Sequence, residues 1–208
     1  ALRQTCAGNR SSRLDRDHVN QTDMPKKGKI ILLNGTSSAG KSSLARALQA
    51  VTAEPFLHVP MDAFLEMMPP QYANHPEAFH FVPLDGSAPP EVAISMGPYG
   101  ARVMQGMRSA MAAMARDGLN LIIDTVMLDD EWPLFESLLA EFDLHLVGIF
   151  ADIDVVERRE RQRGDRDIGQ ARWQSGRVHK GLTYDLTVDT SRVSPDEAAT
   201  QIKAAFSL

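Results

Sequence analysis

Lys29-Ile30-Ile31-Leu32-Leu33-Asn34, followed at once by Gly35-Thr36-Ser37-Ser38-Ala39-Gly40-Lys41-Ser42, decides how this chain folds. Within the first six residues, Ile30 to Leu33 are apolar without alternation. A strand carries such a run when both faces of its sheet are covered, which predicts a central, buried, parallel strand. The next eight match the phosphate-binding pattern G-x-x-x-x-G-K-[ST]. Glycines at both ends let backbone N–H groups turn inward, and the positive end of the following helix faces the same point. Lys41 then reaches the β- and γ-phosphates, while Ser42 supplies a hydroxyl to Mg²⁺. Beyond the loop, Leu44, Leu48 and Val51 recur at spacings of four and three, predicting a helix over 42–52. A serine-glycine turn that happens to carry a lysine is the plainer reading, and the agreement of strand, loop and helix argues against it. Gly35, Thr36, Ser37, Ser38, Ala39, Gly40, Lys41, Ser42 and Ser43 are therefore the expected nucleotide-binding residues.

Outward from this unit, strands and helices alternate. Phe56 to Val59 reads as a second strand stopped by Pro60, and Asp62 is placed to cap a short helix through Met68. Tyr99 to Asp117 is helical, with Met104, Met107, Met111 and Met114 in a stripe best read as core. Strands are expected over 119–124, 144–150 and 184–188, and helices over 132–141 and from Ser194-Pro195, with proline at the first position. This order predicts an α/β three-layer sandwich: a mainly parallel five-stranded sheet with helices on both faces. Residues 69–98 show no sustained period and hold seven of the twelve prolines, together with Tyr72, His75, Phe79, His80 and Phe81. A long aromatic segment of this kind reads as a cover over a binding site.

Composition bounds the rest. The 208 residues suit one domain, with 43% hydrophobic and 24% charged residues, which excludes wholesale disorder. A formal net charge of −5 argues against a general nucleic-acid binder, so phosphate must be gripped locally. The single cysteine, Cys6, forms no internal disulfide, which fits a cytoplasmic setting. No apolar run reaches the length of a membrane span. Residues 1–28 are expected as a flexible N-terminal arm ahead of one domain over 29–208. Asp15, Asp17 and Asp23 weigh against a targeting peptide in that arm, and Met24 is a candidate natural start.

Three further elements bear on chemistry. Asp62 follows the second strand at the sheet edge where parallel α/β folds bind ligands, and it reads as a general base for an acceptor hydroxyl or as a helix cap. Asp124 ends the strand Leu121-Ile122-Ile123, the pattern of a carboxylate that holds Mg²⁺; contact with substrate is the alternative. The run Arg158 to Arg166 is dominated by charge. Most of it reads as a solvated helix face, but a phosphoryl donor needs cations over its outer phosphates. Arg163 and Arg166, flanking Gly164, are the expected contacts of a closing lid over 157–168. His58, His75, His80 and His179 lack metal spacing and read as packing or surface residues.

Taken together, Ile31-Leu32-Leu33-Asn34-Gly35, Ser37 to Ser42, Val59-Pro60-Met61-Asp62, Ile122-Ile123-Asp124, Arg163-Gly164-Asp165-Arg166, Val178-His179 and Tyr184-Asp185 resemble the chloramphenicol 3-O-phosphotransferases and proteins like them. The resemblance runs from about Lys29 to the C-terminus. It implies an ATP-dependent kinase acting on a hydroxyl of a small molecule, with Asp62 at the position of the family's catalytic base, and it implies a link to antibiotic resistance. Two departures stand out. Thr125 follows Asp124 where the pattern has a second acid, and residues 69–95 match poorly.

The expected activity is thus an O-phosphotransferase using ATP and Mg²⁺, with Lys41, Asp62, Arg163 and Arg166 as catalytic residues and Ser42 and Asp124 on the metal. The expected partner is a small hydroxyl compound, with no nucleic acid or membrane, and self-association stays open. A nucleoside or nucleotide kinase is the alternative enzyme, although residues 69–98 hold no Lys or Arg for a monophosphate. A nucleotide-dependent switch is the alternative from another class; the chain has no guanine-reading Asn/Thr-Lys-x-Asp.

Overall fold

Alternate residues of β1 (Lys29–Asn34) belong to two different cores, Ile30 and Leu32 on one side of the sheet and Ile31 and Leu33 on the other. The computed structural model describes residues 26–86, 88–128, 131–164 and 167–208. The expected arm up to residue 25, with Cys6, and the expected lid residue Arg166 lie outside the described residues.

After β1 come α1 (Lys41–Val51), β2 (Phe56–Pro60), α2 (Met61–Glu66), β3 (Phe79–Pro83), β4 (Val92–Met96) and α3 (Pro98–Arg116). Then follow β5 (Asn120–Thr125), α4 (Trp132–Leu139), β6 (Asp143–Phe150), α5 (Ile153–Arg163), α6 (Gln170–Ser175), β7 (Leu186–Asp189) and α7 (Pro195–Phe206). The five-stranded sheet runs β2-β5-β1-β6-β7. Every pairing in it is parallel. β1 is central, as its unbroken apolar run requires, and β2 is an edge strand that tolerates Pro60 because no further strand needs its missing N–H.

On one face, the methionine stripe of α3 (Met104, Met107, Met111) packs with Phe135 and Leu139 of α4 against Ile30, Leu32, Leu121 and Ile123. On the other, Leu44 and Leu48 of α1 and Ala198, Ala199 and Ile202 of α7 close over Ile31, Leu33, Ile122 and Val147. Ser194 opens α7 with a capping box: its side chain accepts from Glu197 N–H, and Glu197 Oε2 accepts from Ser194 N–H. At the N-terminal end, Gly28 N–H already donates to Ala115 O at 2.8 Å, tying the chain to the foot of α3.

Two features depart from the expected layout. Residues 69–98 contain an antiparallel hairpin, β3–β4, with Phe81 opposite Ile94, where the sequence shows only a covering loop. Each strand has five residues and pairs only with the other, leaving no long periodic signature. The charged run forms a helix, α5, but its Glu160 faces inward rather than to solvent, and the short helix α6 behind it was not expected. Glu160 joins the two: it is fully buried, and its carboxylate accepts from Gly169 N–H at 2.8 Å and Ala171 N–H at 2.9 Å, satisfying the otherwise orphan donors at the start of α6.

Candidate active site

The loop between β1 and α1 has the backbone that its motif demands. Gly40 adopts φ +91°, and a side chain at Gly35 would bring a Cβ to 2.4 Å from Ile149 O. Ser38 holds φ +61° although it is not glycine, the kind of local strain that persists where surrounding structure over-determines it. Lys41 folds back over the loop and donates to Gly35 O at 2.9 Å and Thr36 O at 2.8 Å. The Ser38 hydroxyl is buried without a hydrogen-bond partner. A loop of inward N–H groups, a buried ammonium and an unpaired hydroxyl fit a polyphosphate.

Parallel pairing puts Asp124 of β5 beside Leu33 of β1 and Pro60 of β2, at the carboxyl edge of the sheet. Its Oδ2 accepts from Ser42 Oγ at 2.6 Å and lies 3.4 Å from His58 Nε2, while its Oδ1 is 3.8 Å from Lys41 Nζ. Burial works against its charge. Lys41, His58 and Ser42 outweigh that penalty and hold the carboxyl below its ordinary range. Ser42 Oγ and Asp124 Oδ2 form a hard oxygen pair suited to Mg²⁺, which takes a few protein oxygens and completes its shell with phosphate and water. Among the described residues no group of three or more His, Cys, Asp or Glu gathers into a metal cage, so phosphate would have to complete such a site. The structure thus brings His58 to the site, whereas histidine spacing alone assigned it to packing.

A hollow of about 270 Å³ surrounds the loop and is lined by Arg159, Arg163, Thr190 and Pro195 as well as by Lys41, Ser42 and Asp124. Arg163 of α5 thus stands on the wall of this hollow. Arg159 is a second α5 cation that sequence reasoning missed: its Nη2 donates to Thr190 O at 2.8 Å and its Nη1 to Thr190 Oγ1 at 3.2 Å. Thr190 Oγ1 in turn donates to Ala39 O at 2.7 Å. The loop is thereby braced from β7 and α5 together. From α6, Gln174 Oε1 accepts from Ser37 N–H at 2.6 Å.

A larger cavity of about 960 Å³ opens beside the first, between α2, the β3–β4 hairpin and α6. Phe79, Phe81, Ile94 and Met96 of the hairpin line it with Met104 of α3 and Trp173 of α6. Met61, Asp62 and Val126 line both spaces. Asp62 does not occupy the cap position that the sequence also allowed: Pro60 is the N-cap of α2, and Asp62 sits inside its first turn.

Behind the loop runs a polar chain. Asn34 Nδ2 donates to Tyr184 Oη at 2.8 Å, which leaves the Tyr184 hydroxyl proton to His179 Nδ1 at 2.7 Å. Phe150 stacks on His179 with ring centroids 3.8 Å apart. Burial, helped by the nearby charge of Lys41, pushes His179 down to about 4, and burial pushes Tyr184 up to about 12. Asn34 Oδ1 accepts from Met127 N–H at 2.8 Å, so one asparagine at the end of β1 orders both flanks of the loop.

A parallel sheet in this order, with a phosphate loop after its central strand and helices on both faces, defines a P-loop α/β fold of the kinase kind. The Mycobacterium tuberculosis APS kinase, solved with AMPPNP and APS, superposes with a TM-score of 0.62 at 16% identity over 88% of this chain and 100% of that one. A sugar kinase from Janibacter sp. HTCC2649 gives 0.59 at 17% identity over 86% and 95%. At these identities the likeness is one of fold. The chain itself belongs to the chloramphenicol phosphotransferase-like protein family, which matches residues 28–207. A Mycobacterium tuberculosis H37Rv protein, named for a proposed O-phosphotransferase activity, is 33% identical over 193 residues, covering 88% of this chain and 84% of its own length. The chain is thus a phosphotransferase of the kinase class acting on a hydroxyl acceptor. Among the described residues no helix is long and apolar enough to cross a membrane.

Proposed function

We propose that the chain transfers the γ-phosphoryl of ATP, held with Mg²⁺ on Gly35 to Ser43, to a hydroxyl of a small molecule seated in the larger cavity. The observation that carries this reading is the position of Asp62, the ionisable residue shared by the phosphate hollow and the larger cavity. From there its carboxylate can take the acceptor proton as the new P–O bond forms and the bond to the ADP oxygen breaks. Lys41 neutralises the outer phosphates, and Ser42 with Asp124 would hold the metal. Bound there, Mg²⁺ would supply charge neutralisation across the β- and γ-phosphate oxygens. Arg163, with Arg166, is assigned to the developing charge on the transferred group, and its position on the wall of the hollow supports that role.

Family membership makes chloramphenicol the first acceptor to try and antibiotic resistance the first role to test. One cysteine in 208 residues favours work in a reducing cytoplasm. The test is a mass-spectrometric search for an added phosphate after incubation with ATP, Mg²⁺ and a panel of chloramphenicol, aminoglycosides, nucleosides and sugars. A phosphorylated product that disappears with Asp62→Asn supports the reading. ATP hydrolysis of equal rate with and without every acceptor would instead favour a nucleotide switch.

A further inference from the structure

Gln170 and Gln174 stand one helical turn apart on α6, at 6% and 3% exposure, and both line the larger cavity. Their amides are engaged differently. Gln174 commits its oxygen to Ser37 N–H of the phosphate loop at 2.6 Å. Gln170 makes no side-chain hydrogen bond among the described residues, although its carboxamide offers two donors and an acceptor. The carboxamide is not sealed in the core: it opens onto the cavity, where an occupant can pair with it.

The helix that carries the two glutamines is held in place. Gly169 precedes it at φ +110°, where a Cβ would lie 2.6 Å from Pro90 O, and the buried carboxylate of Glu160 caps its first N–H groups. Such support is what a recognition residue needs to keep one geometry.

The charge of the cavity restricts what Gln170 can meet. Asp62, Glu66, Glu131 and Asp167 line it, and no Lys or Arg does among the described residues. An acceptor bearing a carboxylate or phosphate would find like charges on these walls and no cationic partner among the described residues that line them.

We propose that Gln170 is the specificity-determining residue for the acceptor, pairing its free carboxamide with an uncharged hydrogen-bonding group, an amide or a second hydroxyl, on a non-anionic alcohol with an apolar body. Gln174 is the positioning residue that carries this engagement to the phosphate loop through Ser37. The inference rests on the phosphotransferase reading of the same site.

The test is the pair of variants Gln170→Met and Gln170→Glu in the full chain, with two measurements. In the ligand-free protein, Gln170→Met removes an amide that opens to the cavity and is expected to leave the melting temperature within about 2 °C of wild type. A larger fall would make Gln170 a structural residue and overturn the proposal. Ligand-observed NMR in the presence of AMPPNP then compares chloramphenicol and N-acetylglucosamine, both uncharged, with gluconate. The wild type is expected to bind at least one uncharged probe and not gluconate. Both variants should lose that binding by about tenfold or more, with AMPPNP affinity unchanged. Undiminished probe binding in Gln170→Met, or gluconate as the preferred probe, overturns the proposal. Binding of AMPPNP with no uncharged probe bound overturns the acceptor class and leaves the phosphotransferase reading standing, whereas failure to bind AMPPNP overturns that reading itself.

Discussion

Ser42 Oγ donates to Asp124 Oδ2 across 2.6 Å, although 82 residues separate them in the chain. Parallel pairing of β1 with β5 produces the contact, because Leu33 lies opposite Asp124 and the chain leaves β1 directly into the phosphate loop. A hydroxyl at the first turn of α1 and a carboxylate at the end of β5 therefore converge whatever the surface residues are. The same pairing sets Asp124 beside Lys41 and His58, which keeps it ionised despite its burial.

If these two oxygens share a metal, removing either should damage the same step. Ser42→Ala and Asp124→Asn are each expected to lower kcat by about 10²–10³. Both should raise the Mg²⁺ concentration needed for half-maximal rate. The double variant should lose little more than the worse single one, since the residues act on one group. Steady-state kinetics over a Mg²⁺ titration decides this; fully additive losses would mean that the pair only braces the fold.

Asp62 lines both cavities and is not the N-cap of α2, so its removal should cost chemistry rather than stability. Asp62→Asn is expected to lower phosphoryl transfer by about 10²–10⁴. ATP affinity, measured by calorimetry, and melting temperature should stay near wild type.

The strand, loop and helix from Lys29 to Val51 were legible because three independent signals coincide there: an unbroken apolar run, glycine spacing and a 3.6-residue period. Asp124 was legible from an apolar strand ending in acid. Arg159 and Glu160 were not, because a run with arginine at 158, 159, 161 and 163 looks like a solvated face, and only the fold turns Glu160 inward and Arg159 toward Thr190. His58 gave no signal, since its neighbour Asp124 arrives by strand pairing. The hairpin β3–β4 and the helix α6 are too short to show a period, yet they form much of the larger cavity. Acceptor recognition is thus the part of the site that local pattern carries least.

Glu160 links the helix bearing Arg159 and Arg163 to the helix bearing Gln170 and Gln174. Glu160→Ala leaves two N–H donors buried and unpaired and is expected to cost about 2–5 kcal/mol in urea unfolding. Glu160→Gln keeps one acceptor oxygen and should recover part of that loss. Because both helices shift when the link is cut, the Michaelis constants for ATP and acceptor should rise together in the alanine variant.

His179 supplies a pH dependence with a definite sign. Its folded value of about 4 lies below the ordinary 6.5, so between these limits the unfolded chain binds a proton that the folded chain refuses. Stability is therefore whole above about pH 6.5, falls as the pH drops toward 4, and has no further contribution from this residue below that. Burial beside Phe150 and the charge of Lys41 cause the shift, and the ring is only partly enclosed, so about 1–2 kcal/mol is expected after allowing for solvent screening. Carboxylates such as Asp124 lose their contribution at lower pH, which separates the two effects. Urea midpoints for wild type and His179→Asn at half-unit steps from pH 4.5 to 7.5 provide the measurement. The asparagine keeps an acceptor for the Tyr184 hydroxyl while removing the titrating ring, so its curve should be flatter than that of wild type across this range. Equal slopes would assign the acid sensitivity to other groups and leave His179 as a packing partner of Phe150.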